Sequence, residues 1–216
     1  HVTGVQTCAL PILYASDFGV PQRRNRLFIV GNRNGIDFEF PKEFDYSVSV
    51  DEAISDLPVL GNGEIQMKGE YTVPFEQASP YAQLMRKKSK APTQNIVSRN
   101  KDYVVERYKY IGQGENWSSI PDRLMENYAD KKRCHSGIYK RLIGGKPSVV
   151  ISNYRKSMLI HPHQDRGLSV REAARLQSFP DHFIFEGPVS YVQQQIGNAV
   201  PPLLAKAVMK KILTYK

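Results

Sequence analysis

The chain has 216 residues, with 30 Lys+Arg against 21 Asp+Glu, a formal charge of +9, and hydrophobic and charged fractions of 41% and 24%. That composition excludes a disordered or collagen-like chain, and no apolar run approaches the ~20 residues a membrane helix needs. Two cysteines exclude a disulfide framework and fit a reducing compartment such as the cytoplasm, and the excess of cations points to a polyanionic partner.

In chain order, residues 1–12 have no Met, no charged leader region and no signal-peptide core. Val2 to Ile12 resembles the conceptual translation of a sequencing-library adapter, so 1–12 is expected to be a non-native leader and Cys8 to carry no chemistry. Leu27-Phe28-Ile29-Val30, closed by Gly31, predicts a buried strand, and Asn34-Gly35 a turn. Ser49-Val50-Asp51-Glu52 is a capping box opening a helix whose apolar face is Val50, Ala53, Ile54 and Leu57, stopped by Pro58. Residues 61–85 mix Gly, Pro, Asn and Gln with little periodicity and predict a loop.

The charge is not evenly spread. Fifteen of the basic residues but only six of the acidic ones lie between Arg86 and Lys146, so the whole excess belongs to one segment, interleaved with Tyr103, Tyr108, Tyr110, Trp117, Tyr128 and Tyr139. Cations for phosphates beside aromatic surface suit a nucleic-acid-binding insert, and a solvated basic face would look the same. Within it Lys131, Lys132, Arg133 and Arg141 are the candidate DNA contacts. Ser148 to Ser152 predicts a short strand at its exit. A second capping box, Ser169-Val170-Arg171-Glu172, opens another helix, and Pro201-Pro202 starts a last one with an apolar stripe from Leu203 to Leu213.

Some patterns are set aside. Cys134-His135 and His161-Pro162-His163 do not have the spacing of a closed zinc finger, so no metal site is expected. Gly112-Gln113-Gly114 predicts a turn, not a nucleotide loop.

Three segments then carry a family likeness. Asp17 to Arg26, with Gln22, Arg24 and Arg26, resembles the Gln-x-Arg-x-Arg motif of C5-cytosine DNA methyltransferases. Leu168 to Asp181 resembles the motif after that family's target-recognition region, and Gln195 to Pro202 its last motif. They stand in the family's order, and the resemblance covers Leu13 to Lys216. Glu115-Asn116-Trp117 mimics the family's Glu-Asn-Val motif but falls out of order and is rejected.

The likeness implies an α/β fold: the C-terminal part of a Rossmann-like S-adenosylmethionine-dependent methyltransferase with an inserted, mostly irregular target-recognition lobe. The expected division is 13–74 and 156–216 for the catalytic domain and 75–155 for the recognition region. It implies methyl transfer from S-adenosylmethionine to C5 of cytosine in double-stranded DNA, with Asn198 and Val200 bordering the cofactor. It also implies a prokaryotic or phage source, with a cognate restriction endonuclease as an accompanying partner and no membrane.

Gln22, Arg24 and Arg26 alternate at i, i+2 and i+4, so they share one face. They are the candidate catalytic-site contacts: guanidiniums there could grip phosphates or the O2 edge of an extruded base, or pair with scaffold carboxylates. Arg171 and Glu172 are expected to be structural, Arg171 tethering the recognition lobe. The Gly-rich cofactor motif, the Pro-Cys nucleophile loop and Glu-Asn-Val in its place are not in this sequence, so the chain is expected to be a C-terminal fragment, inactive alone. A stand-alone DNA-binding module and an RNA cytosine-5 methyltransferase remain as alternatives.

Overall fold

Both capping boxes close as their sequences require. In the computed structural model, which describes residues 7–9, 11–33, 35–126, 136–152, 154–156 and 158–215, Ser49 caps α1 (Val50–Ile54) and Ser169 caps α4 (Val170–Leu176). In each, the serine hydroxyl accepts from the glutamate amide three residues on, while that glutamate accepts from the serine amide. Every residue of α4 is buried, so a seven-residue helix can be central because all its faces have partners.

The sheets are small. β1 (Thr7–Ala9) pairs antiparallel with β4 (Val30–Asn32), β2 (Ile12–Tyr14) with β3 (Asn25–Leu27), and β5 (Ile65–Lys68) with β6 (Thr93–Ile96). The expected buried strand over Leu27–Val30 is therefore corrected: the run is split between β3 and β4, and Leu27 and Ile29 are 59% and 68% exposed. Alternation is the reason. Phe28 turns inward with Leu13, Ala15, Phe18 and Val20 onto α6 (Pro202–Ile212), while Leu27 and Ile29 face outward beside Ile12.

The stretch expected to be a loop, 61–85, also contains β5, a 3-10 turn and most of α2 (Pro80–Arg86), whose N-cap is Ser79. Two further helices escaped periodicity: α3 (Asp102–Tyr108) and α5 (Val189–Asn198). The segment Ser148–Ser152 joins no sheet: its main chain meets the first motif through an isolated parallel bridge of Ser148 with Gln22 and through side-chain bonds to Ile151.

The largest core cluster gathers α1, α2, α4 and α5 with Leu142, Ile151, Tyr154 and Leu159; a second, around Tyr108, Ile120, Met125, Tyr139 and Ile160, lies mainly in the basic segment. At the centre of the first stands a buried ion network. Arg175 reaches Asp181 at 2.5 and 2.7 Å and Asp56 at 3.1 and 3.2 Å, and donates to the Ala53 carbonyl at 2.9 Å. Tyr71 donates to Asp181 at 2.6 Å, and Arg86 meets Asp56 at 3.4 Å while stacking 3.8 Å from the Tyr71 ring centre. Burial alone would raise the Asp181 pKa, but the Arg175 guanidinium holds it below the usual carboxylate range, and the two carboxylates together raise that of Arg175. Removing one partner strands a charge in the core, so Asp181→Ala is expected to cost about 3–5 kcal/mol, read as a fall in the urea midpoint; an unchanged midpoint would contradict the network's role.

Candidate functional site

The three motif segments meet at one buried junction, built from amides and a guanidinium. Gln22 enters it from the segment between β2 and β3 and is fully buried. The Ile151 amide donates to Gln22 Oε1 at 3.1 Å, Gln22 Nε2 donates to Gln177 Oε1 at 3.1 Å, and Gln177 Nε2 donates to the Ile196 carbonyl at 2.7 Å. This is a single-direction relay from the exit of the basic segment, through the first and second motifs, to the third. Gln22 Nε2 also reaches the Leu176 carbonyl at 3.2 Å.

Arg24 runs parallel to the relay. Its guanidinium donates to the Ile151 carbonyl at 2.9 Å and the Gly197 carbonyl at 2.6 Å, and only 3% of the residue is exposed. The prediction that Gln22, Arg24 and Arg26 share a face agrees with the structure, yet they divide by depth. Gln22 and Arg24 are engaged with scaffold carbonyls and amides rather than with carboxylates. Arg26 is half-buried within β3, paired across from Leu13, and the one hydrogen bond of its guanidinium among the described residues goes to the neighbouring Asn25 carbonyl at 2.9 Å. Of the three, Arg26 is the one whose guanidinium the scaffold leaves largely unengaged among the described residues.

Gly197 belongs to the same junction for a steric reason. A Cβ there would overlap the Ser152 carbonyl, so the end of α5 lies directly on the exit of the basic segment. Gly197 and Asn198 complete α5 instead of forming a loop; the turn is Ala199 to Pro201, after which α6 begins at Pro202. Asn198 and Val200 are exposed around that turn, beside the fixed Gly197 backbone.

Arg171 is buried and binds the Thr93 carbonyl at 2.8 Å, Thr93 Oγ1 at 3.1 Å and the Phe183 carbonyl at 2.9 Å, so it tethers β6 to α4. Glu172 completes its capping box and takes a two-pronged bond from Arg166 at 2.7 and 2.9 Å. Burial opposes its charge, but Arg166 wins and draws its pKa down to about 2.

Arg141 is not where a DNA contact would be. Its guanidinium is buried and donates to the carbonyls of Ile111, His161, Gln164 and Tyr108 and to Asp165, because it closes the core of the basic segment. Arg107 is likewise buried, on the Leu124 carbonyl and the Tyr139 hydroxyl. Lys131, Lys132 and Arg133, like Cys134 and His135, lie outside the described residues.

His163 pairs with Asp51 at 2.8 Å. His161 is buried, and its Nδ1 accepts from the His163 amide at 3.1 Å. Gln177 and Ile151 were missed by sequence reasoning. Gln177 lay inside a recognised motif without a distinguishing pattern, and Ile151 contributes only its main chain.

A model of the C-5 cytosine-specific DNA methylase family matches residues 6–214. The type II methyltransferase M.DdeI of Desulfomicrobium norvegicum is 33% identical over 98% of the chain and 55% of its own length. The type II methyltransferase M.BbvI of Brevibacillus brevis is 35% identical over 94% of the chain and 48% of its own length. The chain thus spans about half the length of these curated relatives. The crystal structure of a protein described as a DNA modification methyltransferase encoded within an Escherichia coli prophage superposes with a TM-score of 0.68 at 24% identity, over 99% of this chain and 62% of that one. The likeness identifies the fold as a methyltransferase α/β fold.

Two outcomes follow from the geometry. Gly197→Ala is expected to destabilise the chain by roughly 2 kcal/mol or more, because neither backbone at the Ser152 contact can yield cheaply; a thermal melt matching the parent would refute it. Burial lowers the His161 pKa from 6.5 to about 4, with Glu172 opposing and Arg166 and Arg141 assisting. The unfolded state therefore takes up a proton first. Stability should fall by about 1.4 kcal/mol per pH unit as pH drops from about 6.5 toward 4, and His161→Asn should flatten that slope in urea titrations.

Proposed function

The chain belongs to the C-5 cytosine-specific DNA methylase family, and we propose that it forms the second half of an enzyme that methylates C5 of cytosine in a specific DNA sequence. The observation that carries this reading is the junction: all three motif segments and the exit of the basic segment converge on Gln22, Arg24 and Gln177. Such a junction sets Arg26 and the Asn198–Val200 turn in fixed positions relative to a cation-rich lobe.

Each part has a defined task in that reading. Arg26 has guanidinium N–H groups left for the O2 edge of an extruded cytosine, where its charge stabilises electron density pushed into the ring. Asn198 offers a donor and an acceptor, and Val200 an apolar contact. Both are exposed beside a rigid backbone, which suits one wall of an S-adenosylmethionine site. S-adenosylmethionine supplies the electrophilic methyl group. The relay and Arg24 hold that wall at a constant distance from the recognition segment, so base and methyl donor meet in register.

The nucleophile is not among these residues. The two cysteines, Cys8 and Cys134, follow Thr7 and Arg133, and neither has the Pro-Cys setting of the family's catalytic cysteine. The attack on C6 therefore belongs to a catalytic half that joins this one, and this chain alone is inactive. The exposed apolar face of Ile12, Leu27 and Ile29 supports such a partner half. The type II designation of the relatives supports a cognate restriction endonuclease alongside the enzyme. Among the described residues no helix is long and apolar enough to cross a membrane, and the bacterial sources of the type II relatives support a prokaryotic or phage enzyme that works in the cytoplasm.

Purified chain with methyl-labelled S-adenosylmethionine and duplex DNA should form no 5-methylcytosine. The same chain joined in frame behind the N-terminal half of a related type II methyltransferase should form it, and Arg26→Ala in the joined protein should lower kcat about 100-fold at unchanged Tm. Product from the unjoined chain, or none from a folded joined protein, would contradict the proposal.

A further inference from the structure

With Arg141 and Arg107 committed to the interior, the cations available to a polyanion must be sought elsewhere. A groove of about 740 Å³ runs between the segment joining β6 to α3, the turn around Arg155, and the first turns of α5. Arg99, Lys101, Arg155 and Lys156 line it, and among the described residues no carboxylate does. Arg99, Lys101 and Arg155 are exposed, and the guanidiniums of Arg99 and Arg155 have no hydrogen-bond or ion-pair partner among the described residues. Tyr103, 48% exposed, stands beside them with the Lys101 ammonium 6.0 Å from its ring centre and the Arg107 guanidinium 5.0 Å from it.

The floor is set by buried groups: Val104, and Gln193, whose amide donates to Ser98 Oγ at 3.0 Å and ties α5 to the strand exit. Gln193 lies one turn before Gly197 on α5, and Arg155 lies three residues after Ser152, so the two sides of the groove extend from the two sides of the junction.

We propose that this groove is a track for the sugar-phosphate backbone of duplex DNA, with Arg99, Lys101 and Arg155 neutralising phosphates and Tyr103 packing on the sugar between them. The inference rests on the reading of DNA as substrate and adds where that DNA is held. The Arg99 and Arg155 guanidiniums, with no partner among the described residues, keep their full charge for the ligand, whereas the buried Arg107 and Arg141 of the basic segment have spent theirs inside the chain. A groove lined by three or four cations and one ring, with Ser190, Gln194 and Asn100 as polar neighbours, grips phosphate without reading base edges. It serves orientation and affinity, leaving sequence choice to other residues of the segment.

The test is fluorescence anisotropy of a labelled 20-base-pair duplex with the 216-residue chain across about 50–200 mM salt. Each phosphate contact contributes about 0.9 to the slope of log affinity against log salt. Arg99→Ala/Lys101→Ala/Arg155→Ala should therefore flatten the slope by close to three and weaken binding at least roughly 30-fold at the lowest salt, equally on two unrelated duplexes. Arg155→Ala alone should flatten it by about one. The triple Lys87→Ala/Lys88→Ala/Lys90→Ala removes the same charge from the far end of α2 and should do much less.

An unchanged slope in the groove triple, or equal losses in both triples, with parent binding intact, overturns the groove and leaves the DNA reading standing. A parent chain that binds no duplex, or prefers an RNA hairpin at equal salt, overturns that reading and the groove's partner with it.

Discussion

A guanidinium in a protein interior must find a partner for its charge and for five N–H donors, and much of this structure is arranged to supply them. Arg175 obtains two carboxylates and a carbonyl, and in doing so fixes α1, α4 and the Asp181 turn against one another. Arg166 is met by Glu172, Arg171 by Thr93 and Phe183, and Arg141 by four carbonyls and Asp165, while Arg24 places its two terminal nitrogens on Ile151 and Gly197 and keeps a buried Nε without a partner among the described residues. Short helices and two-stranded sheets bury limited apolar area on their own. These planar, many-pronged groups bind irregular main chain, whose carbonyls would otherwise be left unpaired. A segment with little regular structure can thereby have a well-defined shape.

The sequence was informative wherever the physics is local. The two serines with glutamates three residues on specify helix starts at α1 and α4 through contacts within one turn, and Pro201-Pro202 does the same for α6. The alternation of Gln22, Arg24 and Arg26 reports a shared face for an equally local reason. It is silent where long-range contacts decide. The α5 segment Val189–Asn198 is rich in Gln and lacks a side-chain N-cap, and it is stabilised by packing of Val192 and Ile196 and by the grip on Gly197. Counting charge located the basic segment, yet the count treats every arginine alike. Arg141 and Lys101 are one charge each in composition; one holds a core together and the other faces solvent.

The division of the first motif by depth has the same origin. Gln22 and Arg24 precede β3, where the chain passes beneath Ile151 and α5, and Arg26 lies within the hairpin, where that cover ends. Residue type and spacing give no depth; only the path of the covering segment does. What the pattern marked as one functional unit is therefore two devices in series, a clamp and the group it positions.

The clamps also share a chemical habit. Arg24 takes the carbonyl of Ile151, Gln22 takes its amide, Arg171 takes the carbonyl of Thr93, and the Gly197 contact is with the carbonyl of Ser152. Most of these handles are peptide groups, which every amino acid possesses. Anchorage of the segment between Thr93 and Ser152 is thus indifferent to much of what that segment is made of. Its surface can be rewritten residue by residue while its two ends stay moored, and a graft cut outside Thr93 and Ser152 would bring its moorings with it. A main-chain hitch of this kind lets one frame carry segments of very different sequence.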